Sequence, residues 1–180
     1  ERGMMRRPFL SIREALAGLE EESGRTIGPP ARRDRLVRQW NEASAATRLY
    51  EDALPALLEL RGRFRLGVLS NTQSFDLDFI GSRGLLPILD VLCLSCHEGR
   101  LKPDPALFAS AARQMGLPPA AILMVGDSLE DDVGGAIAAG MRAVHLARGG
   151  PACGPAGATA SIGSLTGLSF LLSRESSGPA

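Results

Sequence analysis

No apolar run in the 180-residue sequence approaches the roughly 20 residues that a membrane-spanning helix needs. The amino end, Glu1 to Pro8, also lacks the apolar core of a secretory signal. Three cysteines, an odd number, do not make a disulfide framework. Neither sign of charge is in excess: 20 basic and 20 acidic side chains cancel, which removes any global argument for nucleic acid or an anionic membrane as a partner. No internal repeat is present. What remains is the profile of an ordinary soluble chain, expected in the cytoplasm, long enough to bury one core and carry a modest appendage.

Two patterns divide the sequence. Residues 1–54 read as helices with no strand between them. Ser11 and Glu14 have capping-box spacing before a face of Ile12, Leu16 and Leu19, and after the turn at Gly28, Pro29 and Pro30 a second stripe carries Leu36, Trp40, Ala43, Thr47 and Tyr50. Arg2, Arg6, Arg7, Arg13, Arg32, Arg33, Arg35 and Arg38 make this part locally basic, either a cover that attracts an anionic substrate or the solvated face of two helices.

From Leu54 onward strands and helices alternate. Strands are expected at Arg65–Ser70, Val91–Ser95, Ile122–Val125, Arg142–Leu146 and near Ala160–Ile162, with helices between them, one of them running from about Ser74 to Arg83. Asp104 and Pro105 open another helix that Gly116 stops. Such alternation implies an α/β fold, a parallel sheet flanked by helices. Residues 149–158 read as a Gly/Pro/Ala-rich loop and 176–180 as a flexible tail.

The richest stretch is Ile122 to Ala139. Its four leading apolar residues read as a strand buried on both faces, Gly126 marks a sharp exit, and Asp127 falls at the strand's carboxyl end, where open α/β sheets keep their ligand sites. Ser128 is placed to cap the helix that follows, with Glu130, Asp131 and Asp132 in its first turn. Crowded carboxylates repel one another unless a cation or a basic side chain intervenes, which points to a hard metal, Mg²⁺ first. Ser70 and Asn71 end another strand and Lys102 lies in the loop after a third. In a parallel sheet these ends share one edge, so hydroxyl, ammonium and carboxylate can converge on a phosphoryl group.

The runs Leu69 to Thr72, Gly99 to Phe108 with Lys102 and Pro103, and Val125 to Val133 followed by Ala139 to Met141 resemble the second, third and fourth motifs of the haloacid dehalogenase-like hydrolases. The resemblance implies a Rossmann-like core over residues 55–175 and part of that superfamily's helical cap over 1–54. It implies that Ser70 binds the phosphoryl group, with Asn71 beside it, that Lys102 steadies the nucleophile and the phosphoryl oxygens, and that Asp127 ligates Mg²⁺. Asp132, or else Asp131, is its second acid. The implied activity is Mg²⁺-dependent hydrolysis of a small phosphorylated metabolite through an aspartyl-phosphate. A haloacid dehalogenase, a phosphomutase or a non-catalytic binding or scaffold protein of the same fold are the alternatives, and oligomeric state is left open.

One departure outweighs the matches. The family's first motif, an Asp-x-Asp followed by Gly-Thr at the end of a central strand, supplies the nucleophile and the general acid/base, and no such segment precedes the helical part. Asp76 and Asp78 form the sequence's Asp-x-Asp but sit in a helical pattern beyond Ser70, a decoy for a group that must lie within hydrogen-bond reach of its substrate. The expectation is an amino-terminally incomplete copy that does not turn over, with unpaired strand edges where the central strand belongs.

Two further constellations carry bland readings. Cys93, Cys96 and His97 fit the spacing of c-type haem attachment, but Cys93 falls in a buried-strand pattern, and zinc would lack a fourth ligand. His145 reads as a satisfied residue at the core's edge.

Overall fold

The computed structural model describes residues 8–73, 77–150 and 157–175. The expected loop tip at 151–156, the tail and Asp76 fall outside the described residues. Two helices come first, α1 (Ile12–Ser23) and α2 (Pro30–Ala46). The capping box forms at α1: Ser11 Oγ accepts from the Glu14 N–H at 3.2 Å, and Glu14 Oε2 accepts from the Leu10 N–H at 2.8 Å. Phe9, Ile12, Ala15 and Leu16 make a small core with Leu19, Ile27 and Val37.

The stripe expected along α2 does not become core. The helix ends at Ala46, before Thr47 and Tyr50, and none of its residues is buried. Its arginines divide: Arg33 pairs with Glu20 at 3.2 Å, and Arg13 of α1 reaches Asp34 at 2.8 Å, while Arg32, Arg35 and Arg38 are exposed. Among the described residues the basic side chains of this part are therefore paired or solvated, and Arg2, Arg6 and Arg7 lie outside the described residues.

Beyond α3 (Ala53–Arg61) the order is β1 (Gly67–Ser70), α4 (Leu77–Ser82), β2 (Val91–Leu94), α5 (Ser95–Glu98), α6 (Pro105–Met115), β3 (Leu123–Gly126), α7 (Gly135–Ala138), β4 (Arg142–Leu146), β5 (Ala160–Ile162) and α8 (Thr166–Glu175). All strand pairs are parallel, and among the described residues they form two sheets, β1 with β2 and β3 with β4 and β5. This is the α/β architecture the alternation implies. β1 and β3 are thus each paired along one edge.

That arrangement corrects one expectation. The apolar run at β3 is not buried on both faces: each residue from Leu123 to Gly126 is half-buried. A strand with one neighbour keeps its other flank accessible whatever its hydropathy. Ser95, expected to end β2, instead opens the short helix α5, which Gly99 closes at φ 66°.

One face of both sheets is covered by α6. Asp104 Oδ1 caps it by accepting from the Ala106 N–H at 2.9 Å, and Gly116 stops it in the left-handed region. From it, Phe108 and Ala112 pack with Val133, Ala136, Met141 and Ala143, and Leu69 of β1 joins the same cluster. The Phe108 ring lies so close to α7 that a Cβ on Gly135 would sit 2.6 Å from it. Leu69 also packs against the cluster of Val91, Cys93 and Leu107, so one β1 side chain ties the two sheets together. No helix among the described residues is long and apolar enough to cross a membrane.

Candidate active site

The carboxyl ends of β1 and β3 are joined by a relay of hydrogen bonds through the loop after α5. Asn71 grips the Lys102 backbone twice: its Oδ1 accepts from the Lys102 N–H at 2.7 Å, and its Nδ2 donates to the Lys102 carbonyl at 3.2 Å. From the far end of the same residue, Lys102 Nζ donates to Asp132 Oδ1 at 2.5 Å. Both side chains are nearly dry, 12% and 6% exposed, so each charge depends on the other. Asp132 Oδ2 accepts from the Ser128 N–H at 3.0 Å, and Ser128 Oγ accepts from the Asp131 N–H at 3.0 Å. The Ser95 hydroxyl fastens the β1 exit to the β2 exit, accepting from the Thr72 N–H at 3.0 Å and donating to the Thr72 carbonyl at 3.2 Å.

Local sequence explains why Asp132 can enter. Residues 129–134 wind as a wide π turn rather than as α-helix, capped by Ser128, and this turn swings Asp132 back over the end of β3. Gly126 makes room: a Cβ there would lie 2.3 Å from the Asp132 carboxyl. Lys102, Asn71 and Asp132 therefore form one locked unit.

The three acids separate by environment. Asp132 accepts from donors of the chain itself at both oxygens, Lys102 Nζ and the Ser128 N–H. Asp131 holds a buried Oδ1 without a partner among the described residues. Asp127 is exposed and lines a cavity of about 840 Å³ together with His145, Arg148 and the 47–50 segment. Among the described residues no three His, Cys, Asp or Glu side chains cluster as a metal site. Two carboxylates nonetheless suit Mg²⁺, which commonly takes one or two of them and fills its octahedron with water and phosphate oxygens.

The expected convergence on one pocket is met only in part. Ser70 lines a second cavity of about 490 Å³, with Trp40 and Thr47, whereas Asp127 lines the larger one and Lys102 neither. The relay is what connects Ser70, through its neighbour Asn71, to Asp127 beside Ser128. The separation follows from the fold, because β1 and β3 do not pair.

Several residues at this edge escape a reading by pattern. Asp52, in the segment between α2 and α3, receives the Arg148 guanidinium at 2.9 Å and the Leu165 N–H at 2.7 Å, and Arg148 stacks over Tyr50 with its guanidinium carbon 3.9 Å from the ring centroid. The Arg148 hydrogen bond holds the Asp52 carboxyl below the usual carboxylate range, against a smaller opposing effect of burial. Partners 96 and 113 residues away give no local pattern. His145 sits across the ladder from Gly126 and bonds Ser161 through Nδ1 at 3.3 Å. Cys93 and Cys96 are buried, and burial, with Glu98 nearby, pushes the Cys93 thiol up to about 11, so this pair is not open to haem attachment.

The haloacid dehalogenase-like hydrolase family model matches residues 6–140. The chain belongs to that family. Among curated relatives, the phosphoserine phosphatase of Thermus thermophilus is 35% identical over 140 residues, covering 77% of this chain and 53% of that protein. The glyceraldehyde 3-phosphate phosphatase of Methanopyrus kandleri is 35% identical over 102 residues, 56% of this chain and 44% of that protein. The chain thus spans about half the length of these relatives. A phosphatase of the family from Thermococcus onnurineus superposes with a TM-score of 0.68 at 25% identity, covering 89% of this chain and 87% of that one. A 2-haloacid dehalogenase from Pseudomonas syringae superposes with a TM-score of 0.69 at 27% identity, covering 91% and 70%.

Proposed function

We propose that this haloacid dehalogenase-like chain carries the phosphate-holding and cation-holding groups of a Mg²⁺-dependent phosphomonoesterase acting on a small phosphorylated metabolite. The observation that carries the reading is the dry Lys102–Asp132 pair, backed by the Asn71 clamp. A lysine held at both its backbone and its ammonium presents a fixed positive charge, which stabilises a phosphoryl group without reorganisation during reaction. Ser70 donates its hydroxyl to a phosphoryl oxygen. Asn71 and Asp132 act through Lys102 by fixing its position.

Asp127 and Asp131 would hold Mg²⁺, the unpartnered Asp131 oxygen being the group most in need of a cation. When bound, that ion supplies neutralisation of the charge on the phosphoryl oxygens. Haloacid dehalogenation needs no cation, so this oxygen favours the phosphatase reading over the dehalogenase one. Helices α1 and α2 serve as a partial cap over the sheet edge.

The complete catalyst works through an aspartyl-phosphate. Residues 1–180 contain no Asp-x-Asp-Gly-Thr segment to provide the attacking carboxylate and do not turn over by themselves. The test is phosphate release from phosphomonoesters with and without Mg²⁺, by this chain and by a version to which an apolar strand ending in Asp-x-Asp-Gly-Thr has been joined. Release by the extended protein alone, abolished by Lys102→Met and without halide release from a haloacid, is the expected outcome. Halide release without a cation would replace this reading with a dehalogenase.

A further inference from the structure

We infer that the ester partner of the phosphoryl group carries a carboxylate, seated on Arg48 and Arg148 in the cavity beside Asp127, an assignment that rests on the Mg²⁺-dependent phosphomonoesterase reading above. At about 840 Å³ this space has the size of cavities that take whole small-molecule ligands. Of the residues assigned to hold the phosphoryl group and its cation, only Asp127 lines it, while Ser70 and Lys102 do not. The space beyond Asp127 is therefore left for the organic part of the substrate.

Two guanidiniums line this cavity, and both are held in place. Arg148 donates through Nη2 to Asp52 at 2.9 Å and lies 3.9 Å from the centre of the Tyr50 ring, and Asp52 is anchored in turn by the Leu165 N–H at 2.7 Å. The Arg148 side chain is 21% exposed, so its charge acts through little water. Arg48 donates through Nη1 to the carbonyls of Ala45 at 2.5 Å and Thr47 at 2.9 Å, at the end of α2. Those two bonds leave its Nε–Nη2 edge, the fork that a pair of carboxylate oxygens matches. An arginine fixed before the ligand arrives loses little freedom in binding it.

The charges in this space also point to a single anion. Asp52 balances Arg148, and Asp127 is balanced by Mg²⁺ on the reading above, whereas Arg48 meets no carboxylate among the described residues. Residues 151–156, which follow the lining residue Gly150, include no Asp, Glu, Lys, Arg or His. One positive charge is left unmatched, which suits a carboxylate and rejects an ammonium.

The 180-residue protein, in Mg²⁺, is titrated by calorimetry with inorganic phosphate, ethyl phosphate, 2-phosphoglycolate and phosphoethanolamine. 2-Phosphoglycolate is expected to bind about tenfold more tightly than ethyl phosphate, and phosphoethanolamine more weakly than either. Arg48→Met and Arg148→Met each bring the affinities for 2-phosphoglycolate and ethyl phosphate together. Arg35→Met, which removes an exposed arginine of α2 that does not line the cavity, keeps their ratio. Circular dichroism checks each fold, and Arg48→Met, at an exposed residue with no carboxylate partner among the described residues, carries the test if Arg148→Met does not fold. Equal affinities for 2-phosphoglycolate and ethyl phosphate, a ratio that survives either cavity variant, or one lost in Arg35→Met as well overturns the inference while the phosphomonoesterase reading stands. Inorganic phosphate that fails to bind, or that binds equally well to Lys102→Met, overturns that reading and the inference with it.

Discussion

β3 (Leu123–Gly126) is all apolar and β4 (Arg142–Leu146) carries Arg142 and His145, yet of these two neighbours only β4 holds fully buried residues. β4 has a parallel partner on each flank, and Ala143 and Val144 are fully buried. β3 has a partner on one flank among the described residues, and each of its residues is half-buried. Burial here is set by how many neighbours a strand has. Hydropathy marked both segments as strands but did not foretell their burial. The end of β3 is held instead by a polar device, the Asp132 carboxyl reaching Lys102 across the space between the sheets.

The comparison can be sharpened by substitution. The largest effect is expected where the polar device is cut: Asp132→Ala leaves the Lys102 ammonium desolvated and unpaired, at a cost of about 3–5 kcal/mol in urea unfolding. Less should be lost in the hydrophobic pair of variants. Val144→Ala on β4 is expected to cost about 2–3 kcal/mol and Val125→Ala on β3 less than about 1 kcal/mol, because the second site is already half in water. Equal losses at the two sites would break the comparison. Hydrogen exchange provides an independent measure, with backbone amides of β4 exchanging more slowly than those of β3. Asp131→Asn is expected to leave stability unchanged or slightly raised, since it removes the negative charge from a carboxyl whose buried Oδ1 has no partner among the described residues, while weakening Mg²⁺ binding measured by calorimetry.

The smallest effect is expected at the Asp52–Arg148 pair. A depressed carboxylate pKa means that the unfolded chain takes up its proton first as the pH falls, so the pair's contribution is complete above the ordinary range, near about 4, and fades below it toward the lowered native value. Unfolding curves of the parent and of Asp52→Asn should therefore differ at neutral pH and converge in acid. A gap that persists unchanged to pH 2 would show that the ion pair contributes nothing.

Element order was legible in the sequence because caps and apolar runs are local. Ser11, Asp104 and Gly116 mark helix limits that the structure keeps, and the strands fall where the runs are. Lys102, Asn71 and the acids after β3 were legible as a group because strand ends in a parallel sheet share an edge. Their division of labour was not. Whether Asp131 or Asp132 faces Lys102 depends on a π turn, and one residue of extra winding is invisible to spacing. The α2 stripe misled for a related reason: periodicity shows that a face exists, and whether anything covers it is decided by distant parts of the chain. The Asp52–Arg148–Tyr50 contact is tertiary in the same sense.

Gly126 and Asp132 occupy a single volume between them, since the space a methyl group would need at one position is filled by the carboxyl of the other. The two positions are consequently not free to vary apart. Any heavier residue at 126 must be accompanied by a shorter one at 132, and that exchange would release the lysine. Screening of random substitutions should therefore find position 126 as intolerant as the charged residues themselves, although it has no functional group of its own.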